Sequence, residues 1–224
     1  MKKFELTSEF VTFLGKTLFR IKALVSFGDV AEGELGGFIE RENNLDQSGD
    51  AWVYGDAQVC GDARVYGDAW VYGNAWVCGD AQVCGDARVY GDAWVYGDAQ
   101  VYGDARVYGD ARVYGDARVC GNAWVSGDAR VCGDARVFGN AWVSGDARVQ
   151  NCRDYSATSC FGSENRTTTF FRTKDGGISV RCGCFYGTLR EFREKVKERH
   201  GDSRLAKEYL MLADLMEFRL SKDE

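Results

Sequence analysis

The chain has 224 residues, enough for one or two domains with a proper core, and a formal net charge of −6 from 28 Lys plus Arg against 34 Asp plus Glu. That balance argues against nucleic acid or a membrane surface as partner, and no apolar run is long enough to predict a bilayer span. Nine cysteines, five of them at one position of a repeat, read as side-chain filler in a reducing cytosol rather than a disulfide framework.

From the start, Met1-Lys2-Lys3-Phe4-Glu5-Leu6 has no apolar stretch after its lysines and is not read as a secretory signal. Lys2 to Leu6 and Thr17 to Val25 are predicted strands, the second alternating Leu18, Arg20, Lys22 against Phe19, Ile21, Ala23. Glycines at 28, 33, 36 and 37, with Ile39 and Leu45 six apart, predict an irregular cap over Phe27 to Gln47. Residues 1–48 are thus expected to form an N-terminal β cap.

Residues 49–150 are one uninterrupted repeat of the form Gly-Asp-Ala-x-Val-x. Glycine returns every six residues from Gly49 to Gly145, which makes 17 hexads, and Asn74, Asn122 and Asn140 are the three that replace Asp. Ala and Val lie two apart, so on a strand they point the same way, while the residues between and after them point the other way. Gly-Asp is turn chemistry. Identical bends close most simply as a triangle of three hexads, giving between five and six coils at about 4.8 Å per layer. Ala and Val fill the interior, and no coil is stable without its neighbours.

After Gln150 the rhythm stops. Thr167 to Thr173 and Ile178 to Phe185 read as a hairpin across Lys174-Asp175-Gly176-Gly177. Thr188 with Glu191 predicts a capped helix to about His200, stopped by Gly201, and Asp202 or Ser203 caps a second helix to about Leu220. Residues 151–224 are expected as a ββαα module.

The hexads, with Ala51 before Val53 and so on to Ala147 before Val149, resemble the hexapeptide-repeat, left-handed β-helix superfamily. The mainly β, left-handed parallel β-helix is what that resemblance implies; periodicity alone gives a coil without its hand. Leu18 to Leu24, Phe27-Gly-Asp-Val, Gly36-Gly-Phe-Ile-Glu, Phe170 to Gly176, Cys182-Gly-Cys-Phe and His200-Gly-Asp are similar to segments of enterobacterial and prophage proteins labelled putative transferase or polymer-forming. The resemblance implies a phage- or prophage-encoded protein of a bacterial cytoplasm. Fold does not by itself imply function.

Superfamily transferases resemble one another in using a histidine base where a loop interrupts the hexads. Here no hexad is interrupted, and His200, the only histidine, sits at a predicted helix end. It is catalytic only on the alternative reading of an acyl- or nucleotidyl-donor transferase. Cys182 and Cys184 are spaced too closely for a zinc knuckle, although a shared strand would put them on one face, and no metal or cofactor is expected. The Asp columns are explained by the turn rather than by calcium. The repeat lacks threonine, which sets ice binding aside, and its eight arginines and layer spacing argue against DNA mimicry.

The outward decoration remains. One predicted face carries Trp52, Trp70, Arg88, Arg106, Trp124 and Trp142, with Tyr54, Tyr72, Tyr90 and Tyr108 beside them. A second carries Gln58, Trp76, Trp94, Arg112, Arg130 and Arg148, and a third Arg64, Gln82, Gln100, Arg118 and Arg136. Such ladders can stabilise coils laterally. Trp, Tyr and Arg are also the residues of association hot spots. The first face therefore predicts a non-enzymatic binding or scaffold protein that self-associates as a homo-oligomer or meets a host protein. A further alternative is capture of a small anionic, nucleotide-like ligand by Arg88, Arg106, Arg112 and Arg130.

Overall fold

Gly-Asp at every sixth residue bends the chain, and the structure shows what the bends close. The computed structural model describes residues 2–13 and 15–221. Each hexad contributes a two-residue rung, from Trp52–Val53 to Arg148–Val149. Rungs pair in parallel with those three hexads away: Arg88 lies opposite Arg106, Trp94 opposite Arg112, and Gln100 opposite Arg118. Three hexads therefore make a coil, as the triangle predicts, and the result is a parallel β-solenoid of about six turns. The amide of Arg88 donates to the carbonyl of Ala105 at 2.9 Å and that of Tyr90 to Val107 at 2.9 Å, and this ladder recurs along the prism.

Every Ala and Val of the repeat, from Ala51 to Val149, is buried. Each valine contributes about 1.5–3 kcal/mol once covered, which requires a coil on either side. Corner glycines have φ between 60° and 72°, a region where a Cβ is strained. They also stack closely: a Cβ at Gly97 would lie 3.0 Å from the amide nitrogen of Gly115.

The N-terminal segment is more regular than an irregular cap. Strand β1 (Phe4–Phe13) pairs antiparallel with β2 (Lys16–Ala23), and β2 pairs with β3 (Leu35–Ile39). β3 then runs parallel to the Gln58–Val59 rung, and Leu45 bridges to Val65, so the wrap begins before the first Gly-Asp. Ile39 and Leu45 occupy the interior that valine fills elsewhere. Gly36 and Gly37 allow the approach, since a Cβ would meet the carbonyl oxygens of Val53 and Ala57 at 2.6 and 2.5 Å. Asn44 completes the first coil edge by donating to the carbonyls of Gly61 and Ala63, both at 2.9 Å.

The C-terminal unit has four strands, not the two expected. Tyr155–Phe161, Arg166–Arg172, Ile178–Cys182 and Phe185–Thr188 form one antiparallel sheet. The first is Ser- and Thr-rich, and Ser159 interrupts the alternation of Tyr155, Ala157 and Phe161. The Ile178 to Phe185 run divides at Gly183, whose φ is 57°. Helices α1 (Leu189–His200) and α2 (Arg204–Leu220) follow, with the Thr188–Glu191 capping box and the Ser203 cap in place. Adjacent residues of one strand bind the unit together: Phe171 packs into the solenoid core, and Phe170 into the helical cluster.

Lys3 closes the other end. Its ammonium donates to the carbonyls of Ser48, Gly49 and Ala51 at 3.3, 3.2 and 3.0 Å. Burial pushes its pKa from the ordinary 10.5 down to about 8, against the pull of Asp46, Asp50 and Asp68.

Gly97→Ala is expected to lower stability by about 1–2 kcal/mol from the left-handed backbone, plus the cost of moving Gly115. Gly139→Ala, with φ of 68° but nothing within 4 Å, should incur only the first part. Denaturant midpoints that fall equally would show that close stacking of the corners is not limiting. For Lys3, the folded state sheds its proton near pH 8 while the unfolded chain keeps it to about 10.5, so stability rises with pH across that window. The stability of wild type relative to Lys3→Met should be flat below pH 8 and increase from pH 8 to about 10; a pH-independent difference would mean the ammonium is solvated.

Candidate functional site

Because the rungs are in register, the position before each valine builds a column on each outer face. The first face is a six-stranded sheet carrying Trp52, Trp70, Arg88, Arg106, Trp124 and Trp142 in order. Beside it Tyr72, Tyr90 and Tyr108 stack at 4.7 and 4.9 Å between centroids, their rings within 3° of parallel. Arg88 lies over the Trp70 ring at 5.0 Å and Arg106 over Trp124 at 4.9 Å. Each such pair contributes about 0.5–1 kcal/mol at an exposed site. Burial raises the Tyr72 and Tyr90 phenols above their ordinary pKa, and for Tyr90 the neighbouring Tyr72 and Tyr108 add to the shift.

The ends of this face are not open. Trp52, expected on the surface, is completely buried. The N-terminal segment lies over it, with Phe4 and Phe27 meeting its ring edge-on at 6.2 and 5.4 Å. Tyr54 packs against Trp52 and Trp70, and burial pushes its phenol up to about 12. At the far end the Arg181 guanidinium sits 3.6 Å from the Trp142 ring centroid, and the Trp142 amide donates to Thr169 Oγ1 at 3.0 Å. Between the covered ends Arg88 is exposed, and Trp70, Tyr72, Tyr90, Arg106, Tyr108 and Trp124 are half-buried along the face.

On the second face Trp76 and Trp94 stack at 5.3 Å, Arg112 lies over Trp94 at 5.3 Å, and Phe13 of β1 covers Trp76. Arg112, Arg130 and Arg148 alternate with Asp110, Asp128 and Asp146 along a groove of about 290 Å³ closed by Lys174. Arg88 and Arg106 therefore belong to one sheet and Arg112 and Arg130 to another. The four do not converge on one anion.

Cys182 ends a strand and Cys184 lies in the turn after it, so they do not share a strand face. Cys182 Sγ accepts from Thr168 Oγ1 at 3.1 Å, and all nine cysteines are free. Among the described residues no three His, Cys, Asp or Glu side chains are grouped to hold a metal ion.

His200 ends α1 with its ring stacked on Tyr209 at 5.7 Å and 25°. It borders a cleft of about 480 Å³ between the C-terminal sheet and the two helices. Sequence reasoning missed this cleft. Its lining comes from all four strands of that sheet, from the turns after Phe161 and Cys182, and from both helices, so no single periodicity marks it.

With this geometry in place, the repeat can be compared with known proteins. The model of the YdcK beta solenoid repeat matches residues 57–73, 63–79, 81–97, 99–115, 111–127 and 129–145, each window about one coil long. No curated protein matches the chain. Sequence pattern, family model and in-register rungs agree that the chain is a β-solenoid repeat protein.

Proposed function

We propose that this is a non-enzymatic binding or scaffold protein that associates side by side through the open middle of its Trp/Tyr/Arg face. The carrying observation is that both solenoid ends are covered by the chain itself, while Trp70, Arg88, Arg106 and Trp124 line a flat face between them. End-to-end growth is blocked where β3 and the C-terminal sheet finish the ladder. A two-fold contact between identical copies is self-complementary, each residue meeting on the second copy the one that meets it in return. Placing the Trp70–Arg88 half against the same half of a second copy sets each ring against a guanidinium. Among the described residues no carboxylate lies within 4 Å of Arg88 or Arg106, which leaves both free to recruit one.

The finer reading, a phage- or prophage-encoded protein acting in a bacterial cytoplasm, is supported by the entry and exit segments quoted above and by the free thiols. A transferase is the second reading, and the cleft at His200 is the observation that favours it. It requires His200→Ala to abolish a measurable acyl or nucleotidyl transfer while leaving the fold intact.

Sedimentation velocity over a wide concentration range tests the association. Wild type is expected to form dimers or larger side-by-side species. Trp70→Ala or Trp124→Ala should weaken contact by about 2 kcal/mol, roughly thirtyfold in Kd. Arg88→Glu with Arg106→Glu should leave monomers. Trp52→Ala should loosen the N-terminal cap without changing association. A strictly monomeric wild type would overturn the proposal.

A further inference from the structure

The cleft in the C-terminal unit has a chemistry that the solenoid face lacks. Its floor is aromatic, from Phe161, Phe185, Phe192 and Tyr209, and its rim carries Arg166, Lys195 and Arg199 against one carboxylate, Glu164. Tyr209 is held in place by donation from the Ser163 amide to its hydroxyl at 3.2 Å and by edge contacts with Phe161 and Phe192. The volume, about 480 Å³, suits one or two fused rings rather than a chain segment.

Of the other helical arginines, Arg190 meets Glu194 at 3.0 Å, Arg193 meets Asp214 and Glu217 at 2.6 and 2.7 Å, and Arg204 meets Glu208 at 3.1 Å, while Arg219 lies outside the cleft. Lys195 on the rim is likewise bound to Glu198 at 2.8 Å. Arg166 and Arg199 have no carboxylate within 4 Å among the described residues. Two unpaired guanidinium groups thus flank an aromatic floor in a chain whose net charge is −6. The α1 C-terminus nearby favours cations over anions, so the anion held there needs side-chain charge, which these two arginines supply. Guanidinium forks match a carboxylate, sulfonate or phosphate in two-point contact.

We infer that this cleft is a binding site for a small planar aromatic ligand bearing one anionic group, its ring against Phe161 and Phe185 beside the His200–Tyr209 stack and its anion between Arg166 and Arg199. The site is separate from the solenoid face and requires no chemistry at His200, so it stands whether or not the chain self-associates.

The test uses the full-length chain with two probes, 8-anilinonaphthalene-1-sulfonate and its uncharged counterpart N-phenyl-1-naphthylamine, followed by fluorescence titration. The sulfonate is expected to bind saturably and to protect the exposed Cys184 thiol at the cleft mouth from alkylation. Arg166→Glu with Arg199→Glu should weaken sulfonate binding about tenfold or more, the loss of one or two charge-assisted contacts. The uncharged probe should change little. Arg153→Glu with Lys207→Glu, an equal charge change at exposed residues outside the cleft, should leave both probes unaffected. Absence of saturable sulfonate binding, equal affinity in the cleft variant, or equal loss in the control pair would overturn the site. Loss on Arg88→Glu with Arg106→Glu would also overturn it, by placing the probe on the solenoid face instead.

Discussion

Everything in this molecule depends on one constraint: each hexad must hydrogen-bond to its equivalent one coil away. A parallel ladder at about 4.8 Å per layer holds equivalent side chains directly above one another. Inside, that leaves room for Ala and Val at each regular coil, because a bulky residue would meet its own kind from the next coil; the larger Ile39 and Leu45 fit only at the end of the stack. At the corners it brings glycine to glycine, which is why the Gly97 and Gly115 backbones approach as closely as they do. Outside, it turns a repeated sequence into columns. The tyrosine stack and the Arg-over-Trp pairs are consequences of the ladder before they are anything else.

A ladder also has two unpaired ends, and the non-repeating parts of the chain are explained by them. At the start, β3 supplies a parallel rung and Asn44 satisfies two carbonyls of the next coil. Lys3 satisfies three carbonyls at the chain's entry to the repeat and sits 4.8 Å from the Phe27 ring centroid. At the finish, the buried Asp154 carboxylate accepts from the Gln150 and Asn151 amides at 2.8 and 3.1 Å and faces Arg172 at 3.4 Å. Tyr155 and Phe171 cover the last valines. These caps use charged and amide side chains because the open backbone groups they meet are polar and would otherwise be buried without partners.

The repeat was legible in the sequence because Gly-Asp and Ala-x-Val state the bend and the interior at every turn. Ile39 and Leu45, six apart, carried the same signal, yet without Gly-Asp between them the extra rung could not be distinguished from a loop. Trp52 illustrates a different limit. Its hexad is like the others, and only the fold of Phe4 and Phe27 over it makes it interior. The aromatic cleft was illegible for a related reason: Phe161, Phe185 and Tyr209 are far apart in sequence and meet only because a four-stranded sheet folds against two helices. Periodicity reports what neighbours in the repeat do, and it is silent where one element is placed on another.

The acidic corners bear on how such a prism meets other molecules. Aspartates of one corner recur at each layer, and two unit charges about 4.8 Å apart in water repel by about 0.9 kcal/mol. Asn74 relieves one such contact by donating to Asp92 at 3.0 Å, and exposure to solvent screens the rest. Between two prisms the same columns oppose one another along every edge, so approach corner to corner is disfavoured over the whole length. Approach face to face keeps the edges apart and brings cations and rings together. For the association proposed above, specificity would then come from the corners as much as affinity comes from the face, and added salt should blur the first more than the second, because screening weakens edge repulsion while leaving aromatic burial in place.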